Sequence, residues 1–241
     1  MQTSRSDCDA PRATFEMPAG GDRLADVLRE CTRVVHSRAE RSGIVSQILR
    51  GRADRYGYAL FLRNLLPAYR ELEKGLRAHR ESAGLRWLFE PAVFRARAVE
   101  SDLASIVGAA WERAVPLLPA GRDYARRVAD VARETPTRLI SHAYVRYFGD
   151  MSGGQVLREL LSVAPGLGAE ELSFYSFPLL GDLRTFKRDY RNALNRAGLE
   201  ATDWAGLVDE ALAAFRLNIE LSDAVGAAAT SQAESGRPPG P

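Results

Sequence analysis

The stretch His142-Ala-Tyr-Val-Arg-Tyr-Phe-Gly-Asp-Met-Ser-Gly-Gly-Gln-Val-Leu157 carries three glycines inside a pattern that is otherwise helical on both sides. Each glycine in a helix interior costs about 0.5–1 kcal/mol relative to alanine, so Gly149, Gly153 and Gly154 together forfeit roughly 2–3 kcal/mol. Either a neighbouring helix packs closely on the bare backbone, or the helix bends there against a large flat ligand. Gly149, Gly153, Arg146 and Asp150 project onto one side of the helical wheel. An acid and a guanidinium beside a smooth backbone surface point to a proton-handling network next to a ligand.

Outward from this stretch the chain repeats one grammar, in which a capping residue is followed by apolar residues at three and four spacing and then a Gly or Pro break. Asp22 is positioned to cap a helix to about Ser42. Asp54 opens another toward His79, with a kink expected at Pro67. Pro91 suits the first turn of a helix reaching about Ala114, and a shorter one spans Arg122 to about Glu134. Thr135 with Pro136 is a cap-and-proline start for a helix to about Val163. Asp182 and Thr202 open the last two, ending near Gly198 and Gly226. Strand-length alternation, hairpin signals and repeats of 20 to 50 residues are absent, so the expected fold is all-α, a single multi-helix domain over 21–223. Residues 1–20 and 224–241 read as a disordered leader and tail.

Composition narrows the function. The chain has 241 residues, 46% hydrophobic and 27% charged, enough for a core without metal or disulfide staples. A net charge of +2 argues against a globally basic nucleic-acid binder. Three histidines and two cysteines exclude most zinc-finger, iron–sulfur and disulfide frameworks. Cys8 lies in the polar leader and Cys31 in an apolar helical pattern, so a bridge between them has no support. Neither a signal-peptide run nor a span of about 18 apolar residues is found, and a cytoplasmic protein without membrane attachment is the default expectation.

On the first helix Leu24, Val27, Leu28, Cys31, Val34 and Val35 form the broad apolar side, while Arg29, Arg33, His36 and Glu40 cluster opposite. That cluster is either a solvated face or a metal site. An imidazole ligand needs its second nitrogen held by an acceptor, and Glu40 at i+4 is within reach directly or through water. Arg29 and Arg33 beside it attract a carboxylate-bearing ligand. His142 is the rival ligand, with Arg146 rather than a carboxylate at i+4, which favours a structural or supporting role. His79 reads as a surface residue. Lys187 and Arg191 share one helical face, either a solvated surface or, with Arg29 and Arg33, a clamp for two carboxylates. Phe215 and Asn218 on the last helix either pack in the core or line the opposite wall.

Together Leu28-Arg-Glu-Cys-Thr-Arg-Val-Val-His-Ser-Arg-Ala-Glu40, the glycine stretch from Tyr144 to Leu157, Phe186-Lys-Arg-Asp-Tyr-Arg191 and Phe215-Arg-Leu-Asn-Ile219 resemble the biliverdin-producing haem oxygenase family, in order and spacing, over roughly Arg23 to Ser222. The resemblance implies that haem, as substrate and cofactor, sits between the first helix and the glycine-rich helix. It makes His36 the iron ligand and Glu40 its hydrogen-bonding partner. It assigns Gly149, Gly153 and Gly154 to the distal backbone, and Asp150 with Arg146 to a water network that supplies protons to dioxygen. Arg29, Arg33, Tyr144, Lys187 and Arg191 match positions on the propionate side, and Phe215 and Asn218 the pocket wall. The implied products are biliverdin, carbon monoxide and ferrous iron, with electrons from an external ferredoxin, flavodoxin or reductase and the enzyme acting as a monomer. Two other classes compete: a haem-binding or storage protein, which Asp150 opposes, and a thiaminase-like or dimetal enzyme of the same helical superfamily, which the scarcity of histidine and the paired cations oppose.

Overall fold

The computed structural model describes residues 23–164, 166–234 and 236, and among them there are helices and no strand. Its centre is α3 (Arg55–Ala78), because this helix is apolar on nearly every side: Tyr58, Leu60, Leu62, Leu65, Leu66, Tyr69, Leu72 and Leu76 are all buried. A helix of that kind needs partners all round. It packs on α4 (Ala96–Val107), α6 (Pro119–Glu134), α7 (Leu139–Ala143) and α11 (Trp204–Glu234). The long α11 also receives α1 (Leu24–Glu40) and the short α2 (Gly43–Leu49). The α10 helix (Leu183–Glu200) closes against α1. None of the described helices is long and apolar enough to cross a membrane.

Asp54 and Asp182 cap α3 and α10 as expected, accepting from Gly57 N at 2.7 Å and Thr185 N at 2.8 Å. Pro67 sits inside α3, which runs on to Ala78. Several boundaries differ from expectation. The α1 helix starts after Arg23 with no side-chain cap, and Asp22 lies outside the described residues. The helix expected from Pro91 to Ala114 is divided. Pro91–Val93 is a single 3₁₀ turn, α4 begins at Ala96, Gly108 ends it at φ +94°, and α5 (Trp111–Ala114) follows. The start of α4 is set from another helix: Glu73 of α3 accepts from the backbone N–H of Arg95 and Ala96 at 2.6 and 2.7 Å. The α6 helix begins at Pro119, three residues before Arg122. Asp203 rather than Thr202 caps α11, taking Gly206 N at 2.8 Å, and α11 continues past Gly226 to Glu234, so the expected tail from 224 is helical through that residue. The expected leader, 1–20, and the end of the tail lie outside the described residues.

The α2 helix was not foreseen. Its first turn is stitched to α11 by Ser222, which accepts from Val45 N at 3.2 Å and donates to Ser42 O at 3.1 Å. Gly226 crosses Gly43 so closely that a Cβ there would lie 2.8 Å from the Gly43 carbonyl carbon.

His142 belongs to this framework rather than to a ligand site. It is fully buried, and its Nε2 donates to Glu210 Oε1 at 2.9 Å, while Arg127 grips the same carboxylate with Nε at 3.0 Å and a second guanidinium nitrogen. One carboxylate therefore ties α6, α7 and α11 together. Burial pushes the Glu210 carboxyl up, but His142 and Arg127 outweigh it and hold the group down at about 2. A folded value below the unfolded one stabilises the fold above about pH 4.5, and that stability is lost as pH falls toward 2. Glu210→Ala is expected to cost about 1–3 kcal/mol in urea unfolding at neutral pH, by stranding the buried His142 imidazole and releasing the half-exposed Arg127, and to flatten the acid limb of the stability curve. His79 also has a structural partner, its Nε2 lying 2.9 Å from the Ala132 carbonyl.

Candidate functional site

The helix expected from Thr135 to Val163 is interrupted, and the interruptions build the site. Thr135 makes no capping bond, and Pro136–Arg138 form a 3₁₀ turn before α7. Tyr144–Phe148 then form a π turn, α8 (Gly149–Met151) follows, the chain breaks at Ser152, and α9 (Gly153–Ser162) resumes. Gln155 holds the bend by donating to the Asp150 carbonyl at 3.2 Å and to the Tyr175 carbonyl at 3.1 Å. Both readings of the glycines are realised at different positions. A Cβ on Gly149 or Gly153 would meet nothing within 4 Å, whereas one on Gly154 would stand 2.8 Å from the Tyr175 ring. Two glycines thus leave open space, and the third admits a packed aromatic ring.

That open space faces α1. A cavity of about 400 Å³ is lined by Arg29, Thr32, Arg33 and His36 on one side and by Tyr144, Val145, Phe148, Gly149 and Gly153 on the other. A second space of about 230 Å³ continues past His36 and Glu40 to Asp150, Arg146 and Asn218. The buried edge of α1 is Leu24, Ala25, Leu28 and Thr32, and Val34, expected on the apolar side, is 75% exposed. This rotation turns His36 toward the cavity instead of bulk solvent. Its ring meets Phe215 edge-on at 5.7 Å, and its Nδ1 lies 3.7 Å from Glu40 Oε1, beyond direct hydrogen-bond length but within reach through a water.

Three guanidiniums reach the larger cavity. Arg191 stacks on Phe148 at 5.7 Å and has Asp26 at 3.8 Å, and Arg33 pairs loosely with Glu30 at 3.4 Å. Tyr144 sits between Thr32, Arg191 and Arg29. Burial raises its phenol, and the Thr32 hydrogen bond and the two cations pull the other way. Lys187, one turn earlier on α10, is outside the lining of both spaces, so the expected pair is brought to the site only through Arg191.

Behind Gly149 lies a buried polar cluster. Asp150 accepts from the Tyr69 hydroxyl at 2.5 Å and from Arg146 at 3.2 Å. Arg146 also donates from Nε to the Tyr69 oxygen at 2.9 Å and to the Asn218 side-chain carbonyl. Asn218 in turn donates to the Tyr124 hydroxyl at 3.2 Å and to the Ala214 carbonyl at 2.8 Å. Burial raises the Asp150 carboxyl above its ordinary value, with Arg146 and Tyr69 opposing it. The same burial works against the Arg146 charge, but Tyr69, Asp150 and Tyr124 hold it firmly protonated. A carboxyl moved upward beside a fixed cation is suited to passing protons into the cavity. Sequence reasoning missed Tyr69, Tyr124 and Gln155: the two tyrosines come from distant helices with no local signature, and Gln155 acts only because the helix breaks.

A bent helix presenting bare backbone to a single histidine, with cations at the mouth and a buried acid behind, has the parts that an all-α oxygen-handling haem protein needs. The comparisons agree: the sequence model of the Heme oxygenase family matches residues 22–224. The chain is 35% identical over 205 residues to the human protein heme oxygenase 1, covering 82% of this chain and 70% of that one. It is 34% identical over 198 residues to heme oxygenase 1 of a Synechocystis cyanobacterium, covering 82% of each. The crystal structure of heme oxygenase-1 from Synechocystis in complex with heme superposes with a TM-score of 0.83 at 31% identity, covering 89% of this chain and 97% of that one. The chain belongs to the heme oxygenase family. Its activity is haem degradation, with haem as substrate and cofactor.

Proposed function

We propose that His36 would hold the haem iron from the α1 side, that the bare backbone of Gly149 and Gly153 leaves room for the porphyrin, and that Asp150 with Arg146 holds protons and passes them through water into the cavity. The observation that carries this reading is the open backbone of Gly149 and Gly153 across from His36, backed by a buried acid. The residues fit the group. One imidazole faces the cavity, no side chain intrudes at the glycines, and Arg29, Arg33 and Arg191 with Tyr144 answer the two carboxylates of haem. When bound, haem supplies the redox iron that takes up dioxygen and the ring that is opened to biliverdin, with release of carbon monoxide and ferrous iron.

The chain's own contribution is positional and protic. Glu40 orients the His36 imidazole and keeps its second nitrogen occupied. The backbone of Gly149 and Gly153 offers no side chain that donates a proton directly, so protons would reach the cavity through water held by Asp150. Phe215 fixes the His36 ring, and Asn218 ties Arg146 to α11. Electrons come from an external donor, a ferredoxin, a flavodoxin or a reductase. Against a storage role stands Asp150, a buried acid that haem retention alone does not require.

The reading is tested by adding hemin, recording the Soret band, and supplying reductant in air. Loss of that band with growth of biliverdin absorption is expected, and haem that persists under turnover overturns the assignment. A second outcome separates the glycines. Gly149→Leu is expected to keep the far-ultraviolet circular dichroism unchanged while haem uptake collapses, since its side chain enters open space. Gly154→Ala is expected instead to cost about 1–3 kcal/mol of stability by displacing Tyr175.

A further inference from the structure

Tyr58, Tyr69, Tyr124, Tyr147, Tyr175 and Tyr190 are all buried around the site, yet they differ in where their protons can go. The hydroxyls of Tyr58, Tyr147 and Tyr190 are buried with no hydrogen-bond partner, and that of Tyr124 accepts from Asn218. Tyr69 alone among these donates to a carboxylate, Asp150 Oδ2, at 2.5 Å. The difference matters for electron transfer. A phenol that loses an electron becomes a strong acid, and its cation is costly in an apolar interior. Oxidation is therefore accessible only where the proton leaves in the same event. Tyr69 also has a route to the cavity: Tyr175 is part of the cavity lining, its ring lies 4.4 Å from Phe174, and Phe174 meets Tyr69 edge-on at 5.5 Å.

We propose that Tyr69 is a one-electron donor to the haem site, discharging surplus oxidising equivalents into a phenoxyl radical whose proton is parked on Asp150. This rests on the haem placement given above. The co-reactant is a hydroperoxide. Heterolysis of its O–O bond, with departure of the alcohol, would leave a bound haem two electrons short. Tyr69 returns one electron, and its phenolic proton crosses to Asp150 Oδ2, leaving a neutral radical beside a neutral acid. The external electron donor would supply the second electron, with which the remaining oxygen takes two protons and leaves as water, and a later electron restores Tyr69 as the proton returns from Asp150. Tyr147, 6.4 Å away, is close enough to share the electron hole but has no proton acceptor, so the radical stays on Tyr69.

The test mixes haem-loaded protein with cumene hydroperoxide, freezes it rapidly and records the electron paramagnetic resonance spectrum. A tyrosine radical is expected, with hyperfine splitting that collapses in protein made with ring-deuterated tyrosine. It is expected to vanish in Tyr69→Phe and to survive in Tyr58→Phe and Tyr147→Phe. Asp150→Asn, which keeps Tyr69 and removes only its proton acceptor, is expected to lose the signal while retaining haem, and decides the matter even if Tyr69→Phe folds poorly. An undiminished signal in Asp150→Asn or Tyr69→Phe, loss in Tyr147→Phe, or no tyrosine radical in the haem-loaded wild type overturns the proposal. The Soret band recorded before the peroxide separates these failures from failure of the haem site itself.

Discussion

Replacing His36 with alanine is expected to remove the ligand proposed for the haem iron: the Soret band shifts and broadens, ring opening falls by about 100-fold or more, and added imidazole partly restores both. The magnitude follows from the cost of disturbing even the partners of a metal-bound histidine, about 10- to 100-fold, which loss of the ligand itself at least matches. Rescue is expected because the vacated volume opens onto the larger cavity, where a free imidazole can enter beside Phe215. No other histidine is placed to substitute. His142 is fully buried and committed to Glu210, and His79 is bonded to the Ala132 carbonyl. An unchanged Soret band in His36→Ala would therefore overturn the ligand assignment outright. Glu40→Ala provides the graded companion, keeping the ligand and losing only its orientation, with a smaller loss and little rescue by imidazole.

What could be read from the sequence was what acts over a few residues. The caps at Asp54 and Asp182 work across three positions, so composition and spacing revealed them. The cap on α4 comes from Glu73, more than twenty positions earlier, so Pro91 misled. The α2 helix escaped notice because seven residues hold too little periodicity, and its first turn relies on Ser222. The glycine stretch stood out because its helix-propensity cost demanded a compensation. Its division of labour, two glycines open and one packed on Tyr175, depends on residues far away in sequence. The wheel grouped Arg29, Arg33, His36 and Glu40 on one side, but it put Val34 inside, because the amphipathic pattern of α1 does not register that a cavity rather than bulk solvent faces its charged edge. Tyr69 had no signal at all: its partner Asp150 is 81 positions away.

Asp150→Asn is expected to bind haem with an unchanged ligand spectrum and to lose biliverdin formation by about 10²- to 10⁴-fold, the range for a positioned proton donor. Asparagine keeps the shape and the hydrogen bond from Arg146 but cannot exchange a proton. The pH profile gives the sharper result. Burial raises the Asp150 carboxyl, so the rate in the wild type declines as pH rises through that raised value, and this limb disappears in the variant. Stability moves the same way in the haem-free protein, because a folded value above the unfolded 3.8 means the ionised carboxylate costs stability: the fold weakens as pH climbs from there through the folded value. Glu210 does the opposite, strengthening the fold over a lower window. The two buried carboxyls are thus distinguishable by urea titration alone. Glu210 is held ionised by His142 and Arg127 to join helices, whereas Asp150 keeps a destabilising burial beside open glycine backbone, as the proposed proton supply requires. Full biliverdin formation in Asp150→Asn, or an unaltered pH profile, removes Asp150 from the proton supply and leaves it as a structural partner of Arg146 and Tyr69.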